Sequence, residues 1–393
     1  MDTVPTRLAQ LAVRRAEMRA RARRRRRRAG LVVLALLVLL GIGAGGGALM
    51  LGWFNEDYHG SGEGDVVVRV ADGDTTTRIG QMLAERGVVA NVKAFTNAAA
   101  KNDRIRSVQP GYYQMRRKMS GAAAVSTLLD PASRVGQLDI RGGVQLDDTR
   151  APGGAVTPGV LTQISQASCA VFDGRRDCVS VEELRQAMAQ TDPAELGVPT
   201  WALADVRRAD PGRRLEGLFM PGVYTVAPGT PAVDVLRSVL VVSVARLDAT
   251  GIVGGARAMG LDPYRVLVIA SLVEKEAITP DMSKVARVVY NRLDTGQRLE
   301  LDSTVNYPLD VQALRTTAAA RAQVGPYNTY AVAGLPPTPI AAAGTTAVAA
   351  ALDPAPGPWT FFVRCEQSGA SCFSTSLAEH QENVRQAIAN GAF

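Results

Sequence analysis

The chain is poor in the residues that most enzyme chemistry relies on: two histidines (His59 and His380), four cysteines and 5% aromatic side chains in 393 residues. Two histidines leave a zinc site without nitrogen partners, and neither cysteine pair, Cys169 with Cys178 or Cys365 with Cys372, has C-x-x-C spacing. No metal and no cofactor is therefore expected. A serine triad lacks support for the same reason. No internal repeat is visible. Long apolar runs are equally scarce; the clearest is Leu31 to Phe54, 24 residues without a charge. As a helix that run spans about 36 Å at ~1.5 Å per residue, enough for a ~30 Å hydrocarbon core. Gly41-Ile42-Gly43 lies inside it and is no dinucleotide loop.

Positive charge is concentrated at one end. Net charge is +7, yet residues 1–29 hold eleven arginines against Asp2 and Glu17, which makes that tail +9 and leaves −2 (+7 less +9) for the remainder. An arginine run touching a membrane span reads as topology and anionic-lipid contact rather than nucleic-acid binding. A cleavable signal peptide is the rival, but the run exceeds a typical apolar h-region and no clear cleavage site precedes polar residues. The positive-inside rule then expects a single-pass protein of the plasma (inner) membrane, with its N-terminus cytoplasmic and the rest outside. An oxidising location favours two local disulfides, Cys169 with Cys178 and Cys365 with Cys372, over free thiols. Phe361 to Cys365 and Cys372 to Thr375 flank Gln367-Ser368-Gly369-Ala370, the pattern of a hairpin.

Beyond a Gly-rich spacer at 55–64, Val66–Val70 is strand-like, Asp74 is placed to cap a helix from Thr75 to Arg86, and a second helix is expected over Val92–Lys101. A strand over Tyr112–Arg116 and a helix capped by Ser120 complete a β-α-α-β-like unit, 65–134, of the make-up of sugar-binding LysM-type modules. The plainer reading is a spacer. Residues 135–393 form a second, mixed α+β domain, giving an α+β protein overall. Residues 134–150 look like a strand pair around Gly142-Gly143, and helices are expected at Val181–Gln190 and Ala232–Thr250. Asp262-Pro263 opens a further helix running to about Ile278. Its Val266 to Val273 are apolar around most of the circumference, so it is buried.

Glu274-Lys275-Glu276 closes that helix. A carboxylate at the end of a buried helix loses solvation, which raises its pKa toward the value a general acid needs. Spacing leaves open the alternative that the helix simply surfaces here. Residues i and i+2 point roughly 200° apart, so Glu274 and Glu276 do not share one small pocket, and periodicity does not choose between them. Downstream come Asn291-Arg292-Leu293, Asp302-Ser303-Thr304-Val305-Asn306-Tyr307, Tyr327-Asn328-Thr329-Tyr330 and Gly334-Leu335-Pro336-Pro337. Carboxylates beside apolar residues, then hydroxyls, amides and tyrosines, are what a polysaccharide-cutting cleft offers. Asp302, Asn306 and Asn328 suit sugar hydroxyls, and Tyr307, Tyr327 and Tyr330 suit pyranose faces or ordinary core packing. Asp302 equally suits a turn cap, and His380 a packing role.

These motifs in this order, with Glu216-Gly217, Phe219 and Pro221 upstream and Glu379-His380 near the end, resemble the YceG-like (MltG) endolytic murein transglycosylases over residues 65–390. The resemblance implies a membrane-anchored lyase that cuts nascent peptidoglycan between N-acetylmuramic acid and N-acetylglucosamine and leaves 1,6-anhydro ends. It places the catalytic acid at Glu276, with Glu274, Glu216, Glu300, Asp302, Asn306, Tyr307, Tyr327, Asn328 and Tyr330 as substrate-binding candidates. Glycan strands are the implied partner, with peptidoglycan synthases as further candidates. Departures are Glu300 where glutamine is usual, Thr338 for glycine, Gly222 for aspartate and Ala343 for proline. A second carboxylate at Glu300 keeps a two-carboxylate muramidase in play, and a non-catalytic glycan-binding scaffold is the alternative from another class.

Overall fold

The protein was analysed as a computed structural model that describes residues 57–312 and 316–392. The arginine tail and the expected membrane span lie outside the described residues. Among the described ones, no single helix is long and apolar enough to cross a membrane.

The N-terminal unit is built on a three-stranded antiparallel sheet. Strand β1 (Ser61–Val70) buries Val66, Val68 and Val70 by simple alternation and pairs with β2 (Gly111–Met119) in the register Val68 to Tyr113. Helices α1 (Thr76–Glu85) and α2 (Val92–Ala99) lie between these strands, and α3 (Gly121–Leu129) follows them. Strand β3 (Arg134–Val135) pairs with β2. Leu83, Phe95, Met115 and Leu128 fill the core between sheet and helices. The cap of α1 is Thr75, not the expected Asp74: Thr75 Oγ1 accepts from Arg78 N at 3.2 Å. Asp74 lies one residue too early to reach the helix and instead accepts from Ala71 N at 2.7 Å, closing the turn that leads in.

A second core, sharing no residue with the first, begins at Leu138 and runs through Ala351. Strand β4 (Gln137–Ile140) does not form a hairpin around Gly142-Gly143, as the sequence suggests. It pairs with β7 (Gly222–Thr225), Leu138 opposite Tyr224. After the glycines the chain is captured elsewhere, with Gly143 N donating to Ala342 O (2.9 Å) and Ala342 N to Val144 O (2.8 Å). Between β4 and β7 come α4 (Val160–Ala167), the hairpin β5 (Ala170–Phe172) and β6 (Arg175–Asp177), and α5 (Val181–Gln190) with a Ser180/Glu183 capping box. The Cys169–Cys178 disulfide closes that hairpin. Across it the Gln114 side chain exchanges two 2.8 Å hydrogen bonds with the Val171 backbone, which ties the N-terminal sheet to the second domain.

Helices α6 (Ala232–Ala249) and α7 (Ile252–Ala258) lead into α8 (Pro263–Glu276), which packs against α9 (Met282–Asp294) and α11 (Thr345–Leu352), with the short α10 (Asp302–Asn306) near its end. Asp262 Oδ1 caps α8 by accepting from Tyr264 N at 2.7 Å, and Pro263 occupies the first turn, where its missing N–H costs nothing. Every residue from Val266 to Val273 is buried. The helix stops at Glu276, two residues short of the expected end. Ala277 is extended, and Pro280 has no N–H to give the Glu276 carbonyl and disfavours a helical Thr279. The C-terminal hairpin, β8 (Phe361–Arg364) and β9 (Ser371–Ser374), is stapled by Cys365–Cys372 and followed by α12 (Leu377–Ala389). Among the described residues the largest sheet has three strands and the others two, so the fold is mixed α+β.

Candidate active site

The tip of α8 divides its two glutamates. Glu274 is half-buried, and its Oε2 accepts from Gly344 N at 2.9 Å, where α11 begins. An anion there meets unpaired N–H groups and the positive end of the helix dipole. Its other oxygen lies over Gly142, where an added Cβ would come within 2.2 Å of Oε1, so a side chain there would push the carboxylate aside. Lys275 between them is half-buried, donates to Gly143 O at 3.3 Å and has its pKa lowered by burial.

Glu276 has different neighbours. Some of its surface stays accessible, yet protein surrounds the carboxyl, and that desolvation raises its pKa above the ordinary glutamate value. Its Oε1 accepts from Ser303 N at 3.3 Å, and this contact lowers the pKa without overcoming burial. The negative charge of Asp302 pushes it further up.

Asp302 is held as an anion. Its Oδ1 accepts from Thr316 Oγ1 (2.7 Å) and Tyr330 OH (2.8 Å), and Arg321 Nη2 lies 3.1 Å away. Burial alone would raise its pKa, but these donors outweigh it and the net shift is downward. Arg321 also stacks over the Tyr330 ring at 4.8 Å and donates to Thr316 Oγ1 at 2.7 Å. A fixed anion thus sits beside a desolvated acid, an arrangement that favours the protonated form of the second.

The other predicted residues divide by depth. Glu216 is 3% exposed and accepts from Leu146 N (3.0 Å), Gly217 N (3.2 Å) and Tyr307 OH (3.0 Å), while burial pushes its pKa up to about 7. Tyr307 and Tyr327 are buried core residues with ring centroids 4.7 Å apart, and Tyr327 OH pairs with Thr338 Oγ1 at 2.9 Å. The Asn328 amide is engaged by its own loop: Nδ2 bonds the carbonyls of Ala320, Arg321 and Gln323, and Oδ1 accepts from Tyr330 N. Asn306 is buried on α10. Glu300 is exposed, has a left-handed φ of 51°, and lies 3.5 Å from Arg292 Nη1. Asp302, not Glu300, is the carboxylate whose charge Glu276 feels. Glu379 completes a capping box with Ser376, and His380 stacks on Phe361 at 5.2 Å. Thr316 and Arg321, which fix Asp302, were not singled out from the sequence. They belong to no motif and meet Asp302 only through the loop that Asn328 braces.

Fold and site together define a mixed α+β protein with a desolvated acid suited to general acid chemistry at the tip of a core helix. The YceG-like family model matches residues 68–386, and the chain belongs to that family. It is similar to an endolytic murein transglycosylase of Bacillus subtilis (strain 168), 24% identical over 328 residues that cover 83% of this chain and 85% of that protein. The crystal structure of a YceG-like protein from Listeria monocytogenes has the same fold, with a TM-score of 0.52 and 23% identity over 81% of this chain and 98% of that one.

Proposed function

We propose that the protein is a lytic transglycosylase of peptidoglycan, with Glu276 as its acid and base. The observation that carries this reading is a carboxyl whose pKa is raised by burial and by an ionised neighbour that is itself engaged by its own donors. Neutral Glu276 protonates the glycosidic oxygen between N-acetylmuramic acid and N-acetylglucosamine as the C1–O bond breaks. Its carboxylate then takes the proton from the C6 hydroxyl, whose oxygen closes on C1 to give the 1,6-anhydro end, and Glu276 is left protonated for the next turnover. The nucleophile is tethered in the same sugar, so a positioned water and its own base are not required. A hydrolase needs a second carboxylate free to act. Asp302 is bound by Thr316, Tyr330 and Arg321, and Glu300 faces Arg292, which argues against the muramidase alternative.

The finer features of this reading are an uncleaved span over Leu31–Phe54 with the N-terminus in the cytoplasm, action on nascent strands beside peptidoglycan synthases, and glycan binding by the LysM-like unit. The last is supported by a cavity of about 900 Å³ lined by Asn91, Asn97, Asn102, Lys93 and Lys101, which belongs entirely to the N-terminal unit and shares no residue with the surroundings of Glu276. The test is mass spectrometry of digested sacculi. Anhydro ends are expected; reducing ends heavier by the mass of one water would establish hydrolysis, and binding without any digestion would establish a scaffold.

A further inference from the structure

A pocket of about 550 Å³ lies against α10, bordered by Thr304 and Val305. Ser303, the residue before them, gives its N–H to Glu276. Consecutive Cα atoms are ~3.8 Å apart, so the pocket begins within a residue or two of the backbone that touches the acid. Its walls include Leu309, Pro326 and Val324, while Arg208 and Arg213 stand against one carboxylate, Asp210. Arg208 is already paired with Asp205 at 2.5 Å, and Asp210 accepts a backbone hydrogen bond from Gly212 N at 2.7 Å.

Arg213 is different. It is half-buried, lies 4.9 Å from the Tyr307 ring centroid and 6.0 Å from that of Tyr327, and has no carboxylate in ion-pair range among the described residues. Burial disfavours its cation, but the Tyr307 hydroxyl and the more distant Asp147 charge outweigh that cost, and two aromatic rings orient it without neutralising it. It is therefore pre-set for a carboxylate arriving from outside.

We propose that this pocket is a subsite for the peptide stem of the glycan strand, with a stem carboxylate on Arg213 and the apolar stem side chains against Leu309, Val324 and Pro326. The inference rests on the peptidoglycan reading above, because the stem hangs from the muramoyl residue whose C1 faces Glu276 in that mechanism. A bare glycan fits the pocket's chemistry poorly, since it offers neither the anion nor the apolar surface.

The test compares full-length protein on stem-bearing strands and on strands stripped of stems by an amidase. Wild type should have a kcat/KM roughly ten- to a hundredfold higher on stem-bearing strands, the usual worth of a charged hydrogen bond, with the difference in KM. In Arg213→Gln that ratio should fall toward one, and Arg213→Lys should recover part of it. Val324→Glu puts a like charge on a side chain that is 82% exposed, so the melting temperature should hold while the ratio falls by a smaller factor. A wild-type ratio of one, or a ratio unmoved in both Arg213→Gln and Val324→Glu, overturns the proposal. If wild type cuts neither substrate, the cleavage reading fails by itself. Calorimetric titration of a soluble muramyl tripeptide into Glu276→Gln still decides the pocket: saturable binding weakened by adding Arg213→Gln supports it, and no binding overturns it.

Discussion

Glu274 and Glu276 are the same residue type on the last turn of one buried helix, yet the structure gives them opposite electrostatic surroundings. Glu274 accepts a hydrogen bond from the Gly344 N–H at the start of α11. Glu276 has dense protein around it and an anion, Asp302, beside it, both of which favour the proton, against one 3.3 Å contact from Ser303 N that opposes them. Two residues of helix rotation separate a carboxylate that tethers two helices from a carboxyl able to donate. Desolvation alone does not make an acid catalyst. The balance of donors and charges does.

The sharpest way to break the contrast is Glu276→Gln. A general acid contributes typically 10²–10⁴-fold, so release of anhydro-muropeptides, followed by mass spectrometry, should fall by about that factor while the melting temperature changes little. Digestion at the wild-type rate would remove Glu276 from the mechanism. Next in size is Asp302→Asn, which removes the anion and loosens its ties to Thr316, Tyr330 and Arg321. We expect a loss of roughly ten- to a hundredfold, the scale of a lost charge-assisted hydrogen bond. The pH–rate profile should change with a definite sign. Asp302 raises the Glu276 pKa, so its neutralisation lowers that pKa, and the alkaline limb, where the acid has lost its proton, moves to lower pH.

The helix that carries both glutamates was legible because its signals are local: the Asp262 cap, Pro263 in the first turn and apolar residues from Val266 to Val273. Which glutamate faces the acid site was not, because that depends on where Gly344 and Ser303 arrive, and both come from chain distant in sequence. The same limit explains β4. Its strand character is local, but its partner Gly222–Thr225 is some eighty residues away, and a glycine pair invites the wrong hairpin. Residue types around the site were also easier to read than orientations. By chemistry Tyr307 and Tyr327 suit sugar contact or core packing equally, and Asn328 suits a sugar hydroxyl; the structure turns the tyrosines into the core and the amide onto its own loop. Both disulfides lay within reach of the sequence because each closes a short hairpin.

Glu216 extends the comparison to a carboxyl that is wholly inside. Its pKa rises to about 7 from an ordinary 4.5, so between those values the folded protein holds a proton that the unfolded chain has lost. Stability contributed by that proton is complete below about 4.5, declines as pH rises toward 7 and is gone above it. Glu216→Gln cannot ionise, so the fall in melting temperature between pH 5 and pH 8 should shrink, measured by calorimetry at both values. The variant should also lose about 1–3 kcal/mol overall, because an amide nitrogen turned toward Leu146 N or Gly217 N meets a donor instead of an acceptor. An unchanged pH slope would mean that Glu216 is already ionised in the fold.

The mildest change tests the other side of the helix tip. Glu274→Gln keeps the shape over Gly142 and an oxygen for Gly344 N, and loses only the charge at the start of α11. Such a charge at a helix N-terminus is worth about 0.3–1 kcal/mol, up to ~2 when partly buried, so unfolding in denaturant should shift by that amount. Cleavage should stay within a few-fold of wild type, since Glu276 keeps both Ser303 N and Asp302. A collapse of activity matching that of Glu276→Gln would place Glu274 in the chemistry and erase the division of labour. A small stability loss with activity intact would locate it, as the geometry does, in the link between α8 and α11 that holds the acid-bearing tip in place.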